Sequence, residues 1–395
     1  MPRLTTLFSP AIYRAAAARL RWGALTLQPS PYSLKEHIEG LVDWIMRAQK
    51  ATPDGGVSES YHIKYGKWQP SYPETTGYII CSMIHAANAG YGNKEAVRES
   101  ARLMGEWLAD VQLPDGSFQG GNIAVKDPKP AMFNTGQILK GLGDLIREGL
   151  DTTGRLRKSA DRAAEWMVAM QDPDGAWRKG LSVLANSPVR AYNIRAAWGL
   201  ARYGKIVGNE KFVQAGIRNG EWLRSVQSAD GWFQYMNFNV GVDPLLHTVA
   251  YTINGLMELG ALTGRDDFVK ACRIPAGLVA DLQNPDHGGV PGQIARGYKG
   301  AVDWYNTTAT AQMGIIWFRM SQITGESYWA DYGRRANDFC RSIHSVELHS
   351  PDDHVRGGLI GCWPVHAGYG AYWYMNWTQK FFLDSLLAET GVTID

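Results

Sequence analysis

Helical periodicity recurs along this chain in pairs of segments. Six segments carry apolar residues at helical spacing on one side and charged residues on the other, which is typical of helices on the outside of a fold. They span about 35–49, 93–112, 157–171, 210–227, 266–283 and 327–344. Each is followed by a segment with less charge and more Gly, Ala, Thr and Met, as expected for buried helices. These inner segments span about 75–89, 134–149, 193–207, 247–263, 306–324 and 376–390.

The outer segments also share an anchor near their ends, where an apolar residue precedes a Gln or His by five positions. The pairs are Trp44–Gln49, Trp107–Gln112, Trp166–Gln171, Trp222–Gln227, Leu278–Gln283 and Phe339–His344, spaced about 56 to 63 residues apart. Four of them lead into an Asp-Gly turn, the fifth into Asp286-His287-Gly288 and the sixth into a looser turn. Such a period indicates a repeat architecture. The sequence predicts an all-α (α/α)6 toroid over residues 35–395, preceded by an N-terminal extension, residues 1–34.

The connections between the segments are unequal in length. Inner segments lead to the next outer segment within a few residues, whereas the reverse connections take about 20 to 30 residues. Long loops in a compact fold are usually functional, and in a ring of hairpins all six would lie on one face. Fragments 116–119, 175–178 and 231–235 predict short β-strands within these loops. We therefore expect the site on the loop face.

Composition narrows the class of partner and the compartment. The formal net charge is +2 and no Lys/Arg run occurs, which argues against nucleic acid as a partner. Four scattered cysteines without CxxC spacing are typical of a reducing compartment, so a cytoplasmic location is predicted. No stretch is apolar enough to span a bilayer. The extension contains Arg but no acidic residue; we favour an extra helix there over a targeting peptide.

One column of residues stands out when the inner segments are aligned by their starts. It reads Glu74, Asn134, Asn193, His247, Asn306 and Asn376. The four asparagines are explained as helix N-caps, with contact to a substrate as the alternative. Glu74 and His247 belong to the first and fourth hairpins, which face each other across a six-membered ring, so both are predicted at one central site.

Two types of catalysis are open to these residues. Burial among aromatic rings would make Glu74 a general acid, whereas the helix dipole alone would keep it ionised. His247 and Tyr251 share a helix face, a pair suited to proton abstraction or simply to the core. Glycoside hydrolysis needs a second carboxylate, for which we favour Asp303 over Asp243. A zinc ion at Cys362 and His366 is not predicted because no third ligand is apparent; no cofactor is expected.

Aromatic and basic residues in the loops predict a sugar-binding face. Rings supply flat apolar area for sugars, and Arg suits a carboxylate. The substrate-binding candidates are Trp68, Tyr72, Asn134, Trp177, Asn193, Arg195, Trp232, Tyr235, Arg296, Trp304, Asn306, Trp363, Tyr374 and Asn376. Together they indicate an anionic, uronate-containing oligo- or polysaccharide. An ordinary solvated rim is the alternative.

The six hairpins with long loops on one face resemble the six-hairpin glycosidase superfamily, including its polysaccharide lyases and sugar epimerases. The Trp-x4-Gln-x2-Asp-Gly units also resemble repeats of squalene-hopene cyclases and prenyltransferase β subunits. The cyclases' Asp-x-Asp-Asp acid motif is absent. The first resemblance implies a hydrolase, with Glu74 and Asp303 as acid and base.

The same resemblance leaves two other functions open. In a lyase, or a related epimerase, His247, Tyr251 or Tyr305 would remove a proton next to a uronate carboxylate. Asn193 or Arg195 would then neutralise that carboxylate. A non-catalytic glycan-binding subunit of a polysaccharide-producing system would use the same cleft without turnover. Hydrolysis of an acidic polysaccharide is the preferred prediction.

Overall fold

The computed structural model describes residues 10–23, 27–182 and 184–394. Its α-helices, in chain order, are α1 (Pro10–Gly23), α2 (Leu34–Lys50), α3 (Pro73–Asn88), α4 (Lys94–Asp110), α5 (Met132–Arg147), α6 (Arg155–Ala169), α7 (Ile194–Val207), α8 (Glu210–Ser225), α9 (Leu246–Thr263), α10 (Asp266–Ala280), α11 (Thr307–Thr324), α12 (Tyr328–His344) and α13 (Asn376–Glu389). A 3-10 turn at Ala191–Asn193 leads into α7.

The helices form two concentric rings. The inner helices α3, α5, α7, α9, α11 and α13 each pack against the next, and α13 packs against α3 to close the ring. Outer helices α4, α6, α8, α10 and α12 pack against the inner helix that precedes each of them, while α2 packs against α13. The predicted (α/α)6 toroid is therefore confirmed. The inner helices are buried on most sides, which explains their low charge and their small residues.

The repeated glutamine explains why the first four units share one motif. The side-chain amide of Gln112 donates to the Gly116 carbonyl oxygen in its own turn and to the Ser159 carbonyl oxygen of the next outer helix, both at 2.8 Å. Gln49, Gln171 and Gln227 make the equivalent pair of bonds. Each amide thus connects a turn to the neighbouring hairpin, and we call this pair of bonds the glutamine clasp.

Short strands occur in three of the six long loops. They are β1 (Ser60–His62), β2 (Lys67–Trp68), β3 (Ile294–Ala295), β4 (Lys299–Gly300), β5 (Tyr305–Asn306), β6 (Cys362–Trp363) and β7 (Trp373–Met375). All pairs are antiparallel: β1 pairs with β2 and β7, β3 with β4, and β5 with β6. The β1–β7 pair joins the first long loop to the last.

The predicted strand positions were wrong, although β-structure in the long loops was expected. Fragments 116–119 and 231–235 each form only an isolated bridge, through Gln119 and Phe233. Fragment 175–178 forms neither strand nor bridge. Its Trp177 ring enters the core, where the indole nitrogen donates to the Met167 carbonyl oxygen at 2.9 Å. Packing of that side chain, rather than backbone pairing, fixes the segment.

Backbone hydrogen bonds connect the six long loops into a closed belt. Each loop bonds to the next: Ile123 N to Ser71 O, Met132 N to Gly180 O, Ser187 N to Phe238 O, Leu246 N to Gly292 O, Thr307 N to Gly361 O and Ile63 N to Tyr372 O. These bonds go once around the ring. The loops therefore lie on one face, around the N-terminal ends of the inner helices.

Helix α1 packs outside the ring, against the last loop. Its Trp22 and Ala18 are buried, Arg21 forms an ion pair with Glu347 at 3.0 Å, and Arg19 Nε donates to the Tyr372 hydroxyl at 2.7 Å. The predicted extra helix thus exists at Pro10–Gly23; residues 1–9 and 24–26 of the predicted extension lie outside the described residues. Across the described chain, none of the helices combines the length and apolarity needed to cross a membrane.

Candidate active site

The loop face and the N-terminal ends of the inner helices enclose a cavity of about 330 Å³. This volume is near the lower end of the range of roughly 300–1,000 Å³ for small-molecule sites. Aromatic side chains form most of the wall, and a few polar groups converge on the space. The lining residues are Glu59, Tyr72, Glu74, Thr75, Tyr78, Phe133, Asn134, Ser182, Leu184, Ala185, Arg190, Tyr192, Phe238, His247, Tyr251, Tyr369 and Trp377.

Glu74 is the second residue of α3, directly after Pro73, and its side chain lines the cavity. Burial raises its pKa from 4.5 to about 8, while a hydrogen bond with Tyr72 and the charge of Arg195 lower the pKa in part. Desolvation is the largest of these effects, and it favours the neutral form. At neutral pH Glu74 carries a proton and is suited to act as an acid.

A second carboxylate, Glu59, lines the same cavity from the first long loop. The amide nitrogen of Asn122 donates to its Oε2 at 2.7 Å. Burial raises the pKa of Glu59, and the bond from Asn122 lowers it in part. Glu59 and Glu74 both raise the pKa values of Tyr72 and Tyr369 after the larger effect of burial, so both carboxyl groups lie near these two phenols.

His247 lines the cavity from α9, together with Tyr251 one turn later. Its Nδ1 lies 2.7 Å from Oε1 of Gln312. An amide oxygen only accepts, so Nδ1 carries the proton and Nε2 keeps its lone pair. Burial lowers the pKa of His247 to about 4, so the ring is neutral at neutral pH. The rings of His247 and Tyr251 are 4.3 Å apart between centroids.

Arg190 contributes a positive charge to the cavity wall. One guanidinium nitrogen, Nη2, donates to the carbonyl oxygens of Ser182 and Ala185, both at 2.7 Å. Its Nε is buried and has no hydrogen-bond partner among the described residues. A carboxylate on a bound molecule would supply the acceptor that this nitrogen lacks.

Arg195, predicted to bind substrate, lies beneath the cavity instead of in its wall. Its Nε donates to Gln137 Oε1 at 3.1 Å, its Nη1 donates to Asn254 Oδ1, and its guanidinium carbon lies 5.1 Å from the centroid of the Tyr251 ring. Burial lowers its pKa. It acts on Glu74 and His247 only through its charge.

The predicted roles of Asp303 and Tyr305 need correction. Asp303 is exposed in the fifth long loop and does not line the cavity. Tyr305 packs among His287, Phe339 and Trp363, with ring centroids 4.7, 5.5 and 5.9 Å away, and it too is outside the cavity. Strand β5 pairs with β6 and holds this segment against the next hairpin.

The asparagine column separates into different roles. Asn306 is an N-cap as predicted, since its Oδ1 accepts from the Ala309 amide at 3.1 Å. Asn193 occupies the N-cap position of α7 but makes no side-chain capping bond. Asn376 donates from Nδ2 to the Ser58 carbonyl oxygen and to Thr75 Oγ1, which ties α13 to the first hairpin. Asn134 lines the cavity. Asn193 is buried in the 3-10 turn without lining it, and neither of its amide atoms has a partner among the described residues.

Most of the predicted sugar-binding aromatics lie outside the cavity. Tyr72 alone among them lines the cavity. Trp177 and Tyr374 are sealed in the core, and Trp232 packs against Tyr298. Partly or fully exposed positions away from the cavity are occupied by Trp68, Tyr235, Trp304, Trp363 and the basic Arg296.

Sequence reasoning did not include Glu59, Arg190 or Tyr369 among the site residues. One weak sequence feature points to Glu59: it is an isolated acidic residue in an otherwise uncharged stretch of the first long loop, residues 57–63. Arg190 and Tyr369 belong to the basic and aromatic residues of the long loops, but no sequence feature distinguishes them from the other members of that group.

No metal-binding arrangement is found in the parts of the chain that the structure describes. Groups of three or more His, Cys, Asp or Glu placed to hold an ion do not occur there. The Cys362 thiol contacts the carbonyl oxygens of Pro364 and Val365 instead.

Comparison with solved structures places the chain in the six-hairpin glycosidase fold. An unsaturated glucuronyl hydrolase specific for heparin matches with a TM-score of 0.68 at 15% identity, covering 91% of this chain and 97% of the other. A D-mannose isomerase matches with a TM-score of 0.70 at 10% identity and the same coverages, 91% and 97%. A polysaccharide lyase matches with a TM-score of 0.60 at 13% identity, covering 91% and 98%. No protein-family model and no curated protein sequence matches the chain. The fold is thus shared by carbohydrate-active enzymes of different reaction types.

Proposed function

We propose that this protein is a glycoside hydrolase that removes a terminal acidic sugar from a uronate-containing glycan. One observation carries the proposal: a carboxyl group kept protonated by burial, Glu74, shares an aromatic cavity with a second carboxylate, Glu59. A pair of carboxyl groups in which one is protonated is what glycosidic-bond hydrolysis requires. The similarity of the fold to solved unsaturated glucuronyl hydrolases supports the same class of reaction.

In this mechanism Glu74 donates its proton to the glycosidic oxygen as the bond to the anomeric carbon breaks. Glu59 removes a proton from a water molecule, whose oxygen forms the new bond to that carbon. The leaving glycan departs with the proton from Glu74, and Glu59 ends protonated. Exchange of protons with solvent then restores both groups.

The other cavity residues fit the binding of a sugar acid. The buried Nε of Arg190 is available to a carboxylate. Tyr72, Phe133, Tyr251, Tyr369 and Trp377 present rings around the cavity, suited to the apolar faces of a sugar. Because about 330 Å³ is near the lower limit for small-molecule sites, the cavity fits a terminal unit and not an extended chain.

Substitution of the two carboxyl groups tests this function. On uronate-containing oligosaccharides, Glu74→Gln is expected to lower the release of reducing ends by roughly 10²–10⁴-fold while glycan affinity persists. Glu59→Gln should have a comparable effect. Asp303→Asn, a loop-face carboxylate outside the cavity, is the matched control and should keep full activity. Full activity of Glu74→Gln would eliminate the mechanism.

Proton abstraction is a second candidate reaction, favoured by the geometry of His247. Its Nδ1 is held by Gln312, so Nε2 is available as a base, with Tyr251 adjacent. A lyase would produce a conjugated uronate and a rise in ultraviolet absorbance, whereas an epimerase or isomerase would incorporate solvent deuterium into the sugar. If one of these signals were observed, lost in His247→Ala and retained in Glu74→Gln, proton abstraction would replace hydrolysis as the proposed reaction.

Two further expectations accompany the proposal. If the protein bound glycans but turned over none of them, the third function, a non-catalytic glycan-binding subunit, would be favoured.

The cytoplasmic location stays a prediction. The thiols of Cys81, Cys272, Cys340 and Cys362 are buried and form no disulfide, which is compatible with that location.

A further inference from the structure

A second, smaller cavity lies on the axis of the toroid, beneath the candidate active site. Its volume is about 10 Å³, room for one guest of the size of a water molecule. All six inner helices contribute to its wall, through Cys81, Lys140, Arg195, Asn254, Ile315 and Lys380. Three of these six residues are basic, which is unusual for the centre of a protein.

The charges around this cavity do not balance. Lys380 is paired with Asp384, one turn later on α13. Lys140 has its ammonium 3.4 Å from the centroid of the Trp198 ring, and Arg195 donates to the amide oxygens of Gln137 and Asn254. Within the described part of the chain, no carboxylate forms an ion pair with either Lys140 or Arg195. The nearby Asp144 is occupied by Arg202 and Arg147, at 2.6 and 2.9 Å.

An unpaired donor accompanies this positive charge. The amide nitrogen Nδ2 of Asn254 is buried and has no hydrogen-bond partner among the described residues. The remaining titratable groups of the wall add no negative charge beyond Asp384, because burial raises the pKa of the Cys81 thiol to about 12 and keeps it neutral, and His85 carries no negative charge in either protonation state. One acceptor of the wall, Asp384 Oδ1, is also buried without a partner among the described residues. Burial and the charges of Arg195, Lys380 and Arg202 lower the pKa of Lys140 well below its usual value, so its amine needs a nearby negative charge to hold its proton. Arg195, a lysine that lacks such a partner and a free N–H donor around a water-sized space are the complement of a small anion.

We propose that the axial cavity binds a monovalent anion, of the size of chloride, between Lys140 and Arg195. The anion accepts from the Asn254 amide and from Lys140, which keeps its proton beside the negative charge, and it offsets the repulsion between Lys140 and Arg195. Repulsion from Asp384 keeps it on the side away from Lys380. The proposal is independent of the reaction at the loop face, although Arg195 also contacts the Tyr251 ring at the floor of that cavity.

Bromide and chloride are suitable probes. In crystals of the whole protein grown with sodium bromide, an anomalous peak is expected in the axial cavity. In solution, replacing gluconate by chloride at constant ionic strength should raise Tm by roughly 2–4 °C, because chloride binds the folded state only and gluconate is too large to enter. A density feature with no anomalous signal, together with an unchanged Tm, would identify a water molecule and overturn the proposal.

The variant Lys140→Met tests which residue holds the anion. It removes one charge and retains a long side chain, so it is expected to lose the chloride-dependent part of the Tm rise, whatever its own stability. Lys35→Met, at an exposed position on α2, is the control and should respond to chloride as the unmodified protein does. A full response in Lys140→Met would overturn the assignment. The bromide experiment on the unmodified protein does not depend on whether the variant folds.

Discussion

At the scale of single residues, Tyr72 and Glu74 set the pH at which the proposed acid works. Burial raises the pKa of Glu74 to about 8, and the hydrogen bond with Tyr72 opposes that rise. As a general acid Glu74 must be protonated, so kcat/KM should fall as pH rises through about 8. Tyr72→Phe removes the opposing bond and should move this fall to higher pH. Tyr369→Phe, which removes a hydroxyl from another wall, is the control. A shift to lower pH in Tyr72→Phe would contradict the interpretation.

Glu74 also makes the stability of the protein depend on pH. Its pKa is 4.5 in the unfolded chain and about 8 in the folded state. Below pH 4.5 both states hold the proton; above it, the unfolded chain releases the proton first, so stability is lost as pH rises through about 8. The side chain of Gln does not titrate, so Glu74→Gln should not show this loss of stability with rising pH.

Urea unfolding of the protein and of Glu74→Gln across pH checks this linkage. The difference in free energy of unfolding should be small at pH 4.5 and favour the variant increasingly toward pH 8, by up to on the order of 4 kcal/mol. A constant difference across this range would show that Glu74 does not titrate as described.

The residues of the cavity were only partly predictable from sequence. Glu74 and His247 were found because they interrupt a column of asparagines at the starts of the inner helices, where the ring geometry forces side chains toward one mouth. Asp303 and Trp304 lie in a long loop, and the sequence does not specify which way such a loop directs a side chain. Glu59 faces the cavity because Asn122, from the next loop, binds it. That contact is between distant segments and leaves no local pattern.

At the scale of elements, the glutamine clasp is the physical basis of the repeat. Gln112→Ala leaves the carbonyl oxygens of Gly116 and Ser159 without this donor. Because lost partners of partly buried polar groups are costly, the free energy of unfolding should fall by about 1–3 kcal/mol. Urea unfolding measures it. Gln214→Ala, which removes an amide bonded to exposed Glu210 on its own helix, should change stability by less than about 0.5 kcal/mol. Equal effects would argue against a special role for the clasp.

Helices were predicted to within a few residues, whereas strands were misplaced. Helical periodicity is local, and ends such as Gly208 and Gly264, which adopt left-handed φ angles of 70°, are visible in sequence. Strands β1 and β7 pair residues from opposite ends of the chain, Tyr61 with Tyr374. Pairing across such a distance depends on closure of the ring, which no short window of sequence contains.

At the scale of the whole molecule, closure of the ring joins the two ends of the toroid. Helix α13 packs on both α2 and α3, and the amide of Asn376 bonds to Ser58 and Thr75 in the first hairpin. The repeat predicted six hairpins, but the belt of loop-to-loop hydrogen bonds could not be derived from it, because the belt depends on how consecutive loops meet. Since each hairpin has neighbours on both sides, unfolding is expected to be one cooperative transition, unlike that of an open array of repeats.

Removal of one helix from the ring and of one helix outside it tests that expectation. A chain ending at Tyr372 lacks β7 and α13, which exposes the apolar faces of α2, α3 and α11 and removes Trp377 from the cavity. It should lose the cooperative urea transition, followed by tryptophan fluorescence and far-ultraviolet circular dichroism. Deletion of residues 1–23 removes α1, which lies outside the ring, and should keep a single transition at somewhat lower urea because the Arg21–Glu347 pair and the buried Trp22 are lost. A cooperative transition in the chain ending at Tyr372 would mean that the hairpins are stable as an open array, and that closure shapes the cavity without determining the fold.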